Sequence, residues 1–95
     1  IATGGLRSGL DLAKAIALGA EIGSAALPFL KAAVESSEKV KEKIDYFTKG
    51  FKVAMFLTEC KEVEMLRKIP LFVKGEFKEW LNFRKIEIDK FSRCR

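Results

Sequence analysis

Residues 1–10 read IATGGLRSGL, which places a glycine-rich turn between a short apolar stretch and a helix-forming one. The first three residues have the character of the tail of a buried strand, so we expect them to belong to a larger globular unit. Residues 10–18 are mostly alanine and leucine, which favours a helix. The small residues 21–26, followed by Pro28, indicate a second buried strand and a second helix. Two successive strand–loop–helix units are typical of a parallel sheet, so the sequence predicts an α/β fold.

The first turn has the composition of an anion-binding loop. Gly5 allows a sharp turn and carries no Cβ that would block a ligand. We expect the backbone N–H groups of Gly5, Leu6 and Arg7 to point outward together, beside the start of a helix near Gly9. Unpaired N–H groups at such a place favour a phosphate dianion. A structural turn with no ligand explains the same residues, so this motif alone is weak.

A second set of donors is expected at the end of the second strand. Neighbouring parallel strands end on the same side of a sheet, which puts Ala26 and Leu27 beside the first turn. Pro28 lacks an N–H group and suits the first position of the following helix. In eight-stranded β/α barrels a phosphate site commonly forms from the loops after strands seven and eight, and the spacing here suits those strands.

Taken together, the motifs resemble the last phosphate-binding segment of FMN-dependent barrels, and in particular the type 2 isopentenyl-diphosphate isomerase family. Hydroxy-acid oxidases with a similar segment typically have aspartate at the place of Thr3 and Gly-Arg-Pro at the place of residues 26–28. The resemblance spans most of residues 1–86, and residues 23–25 depart from it, since the family more often has a bulkier residue there and then glycine. The stretches that carry it are GGLRSGLD (4–11), KAIALGA (14–20), ALPFL (26–30), MFLT (55–58), VEML (63–66) and GEFKEWL (75–81).

This resemblance implies a fold and a site. The chain would be the C-terminal part of a (β/α)8 TIM barrel, with the last two βα units in residues 1–35 and a helical C-terminal extension of the same domain in residues 36–95. The implied contacts with the FMN phosphate are mainly backbone N–H groups, with the Arg7 side chain as an additional charge. They belong to Gly5, Leu6, Arg7, Ala26 and Leu27.

The same resemblance implies conversion of isopentenyl diphosphate to dimethylallyl diphosphate in isoprenoid biosynthesis. The family uses reduced FMN, Mg²⁺ bound with the substrate diphosphate, and NAD(P)H to reduce the flavin. The family forms homotetramers or larger assemblies, so the resemblance implies a similar assembly. The catalytic residues and the Mg²⁺ and NAD(P)H sites are expected in earlier parts of the barrel, so we assign no catalytic or metal-binding residue here and expect this segment to be inactive and unstable alone.

The composition of the chain bears on whether it binds nucleic acid, a membrane or a metal ion. The net charge of +5 comes from 18 basic and 13 acidic residues that are interspersed in the second half, which favours a solvated helical surface over a nucleic-acid-binding stripe. No apolar run reaches the roughly 18 residues of a membrane span. The isolated Cys60 and Cys94, with no histidine, cannot form a zinc cage by themselves, and they suit a reducing cytoplasm. Abundant lysine and glutamate with no glutamine resemble proteins of hot environments.

The sequence predicts that the second half of the chain is mostly helical. Ser36 or Ser37 can cap a long amphipathic helix that ends near Leu57, and Gly50 would allow a kink or break in it. A short helix over residues 61–68 is expected to end before Pro70. The remaining expectations are a brief strand at 71–73, a helix after Gly75 with Phe77, Trp80 and Leu81 on one face, and a frayed tail at 87–95 anchored by Ile88 and Phe91.

Several interpretations remain open at this stage. Arg7 could form a surface salt bridge, Asp11 is more typical of a helix start than of a ligand, and the glutamates at 59, 62 and 64 are more typical of a solvated helix face than of a metal site. The extension could cover the barrel or contact another subunit. Two other functions are a hydroxy-acid oxidase of the same barrel type and a free-standing basic helical module that binds a partner or nucleic acid.

Overall fold

A computed structural model describes residues 1–87, and everything said below about structure refers to that range. Its regular elements are helices connected by short turns, with one parallel backbone pairing near the start of the chain. The helices are α1 (Gly9–Ala17), α2 (Leu27–Glu35), α3 (Ser37–Leu57), α4 (Val63–Leu66) and α5 (Gly75–Phe83).

The pairing joins Ala2 and Gly23 in a parallel β-bridge. The Ala2 N–H donates to the Ile22 carbonyl and the Ser24 N–H donates to the Ala2 carbonyl, both at 2.8 Å. No strand extends from this bridge within the described part of the chain, and Ile22 is 59% exposed, so the predicted buried strand at 21–26 is limited to one paired residue. A lone strand pair is marginally stable without further strands, which accounts for its short length. The eight-stranded barrel therefore stays a prediction.

The first helix has the boundaries that its sequence predicts, to within one residue. Ser8 is its N-cap, and the Ser8 hydroxyl accepts a hydrogen bond of 3.2 Å from the Asp11 N–H. The helix ends at Ala17, and Gly19 follows with φ of +119°, a left-handed conformation that favours glycine. The cap and the glycine stop thus fix both ends of α1.

The long helix α3 is continuous from Ser37 to Leu57, so no break occurs at Gly50. Ser36 caps it, since its hydroxyl accepts a hydrogen bond of 3.1 Å from the Lys39 N–H. A glycine inside a helix costs roughly 1 kcal/mol relative to alanine, so another feature must favour Gly50. That feature is a close crossing with α1, described below.

The core lies where α1, α3 and α4 meet. Leu66 of α4 is only 1% exposed and is the largest fully buried side chain among the described residues. The Arg67 guanidinium reaches back to the carbonyl of Ala20 at 2.9 Å, which ties α4 to the end of α1. On the other half of α3, the rings of Phe29 and Phe47 stack at 5.4 Å and attach α2. The buried cluster consists of Ala13, Ile16, Ala54, Cys60 and Leu66.

The last elements depart most from expectation. The helix predicted at 61–68 is confined to the four residues of α4, and residues 71–73 form no strand. In α5, Leu81 is buried, but Phe77 and Trp80 are 45% and 51% exposed, so the predicted apolar face is only partly covered within residues 1–87. The predicted frayed tail, with Ile88, Phe91 and Cys94, falls almost entirely outside the described residues.

Candidate functional site

The first loop of the site is held open by two consecutive glycines. Gly4 and Gly5 have φ of +83° and +100°, which side chains other than glycine rarely adopt. A Cβ built on either residue would meet no atom of the described chain within 4 Å. Open space therefore adjoins this backbone, as close approach of a ligand requires.

Arg7 differs from its predicted role. Its N–H donates to the Asp11 carboxylate at 3.0 Å, so this amide is already satisfied inside the chain. Its guanidinium lies 3.3 Å from the carbonyl of Leu6 and is exposed. The prediction that three amides point outward together therefore does not hold for the Arg7 amide, and the side-chain charge is what Arg7 can offer an anion. Asp11 acts as the helix-start residue that its position predicts.

The Leu6 side chain packs into the protein beneath the glycine loop. Its side chain lines an apolar cavity of about 180 Å³ together with Phe29 and Phe47. A Cβ on Gly23 would overlap Leu12 Cδ1 and approach Leu6 Cδ1 to 3.2 Å. Gly23 of the second segment thus makes room for two leucines of the first.

The second loop leads into α2 without a side-chain cap. Ala26 is the N-cap, no side chain bonds to the first turn, and no acidic residue lies there. Pro28 is the second residue of the helix and has no N–H group to satisfy. The Ala26 and Leu27 N–H groups form no hydrogen bond within residues 1–87, so they are available as donors.

The parallel bridge brings the two loops together. Both loops leave the Ala2–Gly23 bridge in the same direction because the pairing is parallel. Leu6 of the first loop and residues 24–25 of the second line one cavity. The Gly5 and Leu6 N–H groups form no hydrogen bond within the described chain. The site therefore offers backbone donors from Gly5, Leu6, Ala26 and Leu27, with the Arg7 side chain nearby, and this donor set fits a phosphate group.

Other chemistry has little support among residues 1–87. These residues contain no group of three or more histidine, cysteine or acidic side chains that could hold a metal ion. None of their helices is long and apolar enough to cross a membrane.

The chain matches a known protein family over most of its length. Residues 1–71 match the sequence profile of the FMN-dependent dehydrogenase family. The match includes both loops of the site and the whole of α1, α2, α3 and α4.

Similarity to individual proteins points to a narrower group than the family match does. The chain is 69% identical over 84 residues to an isopentenyl-diphosphate delta-isomerase of Archaeoglobus fulgidus, covering 88% of this chain and 24% of that protein. It is 43% identical over 93 residues to the protein of the same name from Methanothermobacter thermautotrophicus, covering 98% of this chain and 27% of the relative. A Sulfurisphaera tokodaii relative of that name is 43% identical over all 95 residues, which are 26% of its length. The chain thus spans about a quarter of the length of the curated relatives that it matches.

Proposed function

The chain belongs to the FMN-dependent dehydrogenase family, and from that premise we propose that it forms the flavin-phosphate-binding part of an isopentenyl-diphosphate delta-isomerase. The observation that carries the proposal is the pair of loops that leave one parallel bridge in the same direction and contain four backbone N–H groups without a partner in residues 1–87. The names of its relatives, at up to 69% identity, support the choice of reaction. The whole enzyme would convert isopentenyl diphosphate to dimethylallyl diphosphate.

The residues of this chain would bind and orient the cofactor. The amides of Gly5 and Leu6 hold one side of the FMN phosphate, and those of Ala26 and Leu27 hold the other. Arg7 adds a positive charge through its side chain. Several favourable terms of about 0.3–2 kcal/mol each converge on one anion at such a place.

When bound, reduced FMN supplies the group that takes part in the proton transfer that moves the double bond. Fixing its phosphate limits how far the cofactor can slide or rotate, which is how a site remote from the chemistry contributes to rate. The residues that contact the substrate and the metal are proposed to lie outside this chain.

The larger setting is part of the same proposal. We place the two loops at the ends of the last two strands of a (β/α)8 barrel, with α3, α4 and α5 in its C-terminal extension. Mg²⁺ bound with the substrate diphosphate, reduction of the flavin by NAD(P)H, a cytoplasmic location and a homotetramer or larger assembly complete it. The enrichment in lysine and glutamate supports a source at high temperature.

The experiment uses the complete enzyme that contains this chain. We expect the purified protein to be yellow, to release FMN on denaturation, and to convert isopentenyl diphosphate to dimethylallyl diphosphate under reducing conditions with Mg²⁺. Absence of flavin, or flavin without isomerisation, would contradict the proposal.

The second candidate function is a hydroxy-acid oxidase, which the family profile alone also allows. Oxygen consumption with lactate or glycolate, without isomerisation, would select it. Salt-dependent binding of nucleic acid by a stably folded monomeric 95-residue chain would instead favour a basic helical module.

A further inference from the structure

We propose that Gly50, in the middle of α3, is a positioning residue for the FMN-phosphate loop. The inference rests on the proposed function and assigns a role in cofactor binding to a residue of the C-terminal extension. Gly50 would act without touching the cofactor, by setting how closely α3 approaches the first residue of α1.

The contact is between two glycine backbones. Gly9 is the first residue of α1 and is buried. A Cβ built on Gly9 would overlap the Phe47 carbonyl oxygen and the Phe51 backbone nitrogen. A Cβ built on Gly50 would lie 3.2 Å from the Gly9 nitrogen and 3.3 Å from the Gly9 Cα. Because these neighbours are backbone atoms, no side-chain rotation can relieve the crowding.

The start of α1 is joined rigidly to the loop that precedes it. The Ser8 hydroxyl binds the Asp11 amide, and the Asp11 carboxylate binds the Arg7 amide. Residues 7–11 therefore form one hydrogen-bonded unit. Displacing Gly9 by a few tenths of an ångström moves this unit, and with it the adjoining amides of Gly5 and Leu6.

A second contact follows the same route. The Leu6 side chain lies in the apolar cavity whose α3 wall includes Ile44 and Phe47. Both the first residue of α1 and the Leu6 side chain of the phosphate loop thus lie against α3. Hydrogen bonds to an anion require donor–acceptor distances of about 2.7–3.2 Å, so small displacements of several donors at once weaken binding.

If Gly50 has no positioning role, the substitution Gly50→Ala is expected to have a different effect on flavin binding. If the residue were merely tolerated in α3, alanine would strengthen the helix because glycine is the poorer helix former. Flavin binding would then be unchanged or improved. The crowding against Gly9 predicts weaker binding of the phosphate instead.

The test measures the affinities for FMN and for riboflavin, which lacks the phosphate, by flavin fluorescence titration of the apo form of the complete enzyme. Gly50→Ala is expected to lower the affinity for FMN by about tenfold, since roughly one of several converging hydrogen bonds is lost, and to leave the affinity for riboflavin unchanged. Lys49→Ala, an exposed neighbour on the same helix, is the matched control and should change neither affinity.

A merely structural effect of Gly50→Ala would change both affinities by the same factor and would overturn the inference, as would unchanged affinities. If Gly50→Ala does not fold, Phe47→Leu serves as a second variant, because it alters the α3 wall of the Leu6 cavity. It should lower the ratio of the affinity for FMN to the affinity for riboflavin. An unchanged ratio would overturn the inference. If the unmodified enzyme binds FMN no more tightly than riboflavin, the phosphate site itself fails. A normal preference for FMN that survives Gly50→Ala contradicts only the role of Gly50.

Discussion

The two helices that begin at the site start in different ways. At α1, the Ser8 hydroxyl and the Asp11 carboxylate satisfy the amides of Asp11 and Arg7. At α2, Ala26 provides no side-chain cap and the first turn contains no acid. Both helices are nine residues long, so the difference lies in their caps and not in their size.

This difference indicates how the site divides its tasks. The start of α1 is complete by itself and serves as a fixed support for the glycine loop. The start of α2 keeps amides that have no partner among residues 1–87, together with a partial positive charge that an added acceptor can satisfy. An anion bound between the loops would therefore take the place of the missing cap of α2.

The largest effect is expected when an acid is placed at the start of α2. In Ala26→Asp, the carboxylate should stabilise the apoprotein by about 0.5 kcal/mol through the helix dipole. A full capping hydrogen bond is not expected, because the αR backbone of Ala26 differs from the extended backbone of Ser8 and Ser36. The same charge should repel a phosphate dianion and lower the affinity for FMN by more than about tenfold, since like charges roughly 4 Å apart near a protein surface interact by up to about 4 kcal/mol. Denaturant unfolding of the apoprotein and titration with FMN measure the two effects separately.

Ala26→Asn separates the size of the new side chain from its charge. Asparagine is similar in shape to aspartate and is neutral, so it should stabilise the apoprotein less than aspartate does and cause a much smaller loss of FMN affinity. Unchanged binding of FMN to Ala26→Asp would show that no anion binds at the start of α2.

An intermediate effect is expected when α1 is made to resemble α2. Ser8→Ala removes the N-cap hydroxyl and should lower the free energy of unfolding by about 1 kcal/mol. Because the loop is anchored through this cap, affinity for FMN should also fall, by about threefold. Ser36→Ala removes the equivalent cap from α3 and should lose similar stability without a change in flavin binding. Equal flavin affinities in the two variants would indicate that the α1 cap does not support the site.

The sequence predicted well those features that depend on local chemistry. The extent of α1, to within one residue, and the serine cap of α3 follow from short-range signals, and the structure contains both. The end of α3 at Leu57 likewise follows from apolar spacing within one helix.

Features that depend on distant contacts were missed. Gly50 was interpreted as a weak point because its cost is visible locally, whereas its benefit comes from Gly9, 41 positions earlier. The capture of the Arg7 amide by Asp11 was missed for a different reason. A carboxylate three residues after a cap was recognised as a helix-start residue, but not that it reaches back to the residue before the cap.

The exposed aromatic residues of α5 show the same limit. Helical spacing predicts an apolar face that includes Phe77 and Trp80, but it does not say which surface covers that face. Leu81 is buried within the described chain, while Phe77 and Trp80 remain about half exposed. The helical periodicity therefore identified the apolar face of α5 but not the surface that covers it.

The smallest effect is expected from the charge of Asp11. Asp11→Asn keeps an oxygen that can accept the Arg7 amide but removes a negative charge beside the glycine loop. We expect affinity for FMN to rise about twofold, with a smaller rise at high salt because exposed charges are screened. The apoprotein should lose about 0.5 kcal/mol, since the acid favours the helix start. Glu21→Gln changes an exposed carboxylate that precedes the Ala2–Gly23 bridge, away from the loops, and should leave FMN binding unchanged. A fall in FMN affinity for Asp11→Asn would mean that the ionised carboxylate is needed to hold Arg7 and its loop in place, and that the two helix starts are less different than their caps suggest.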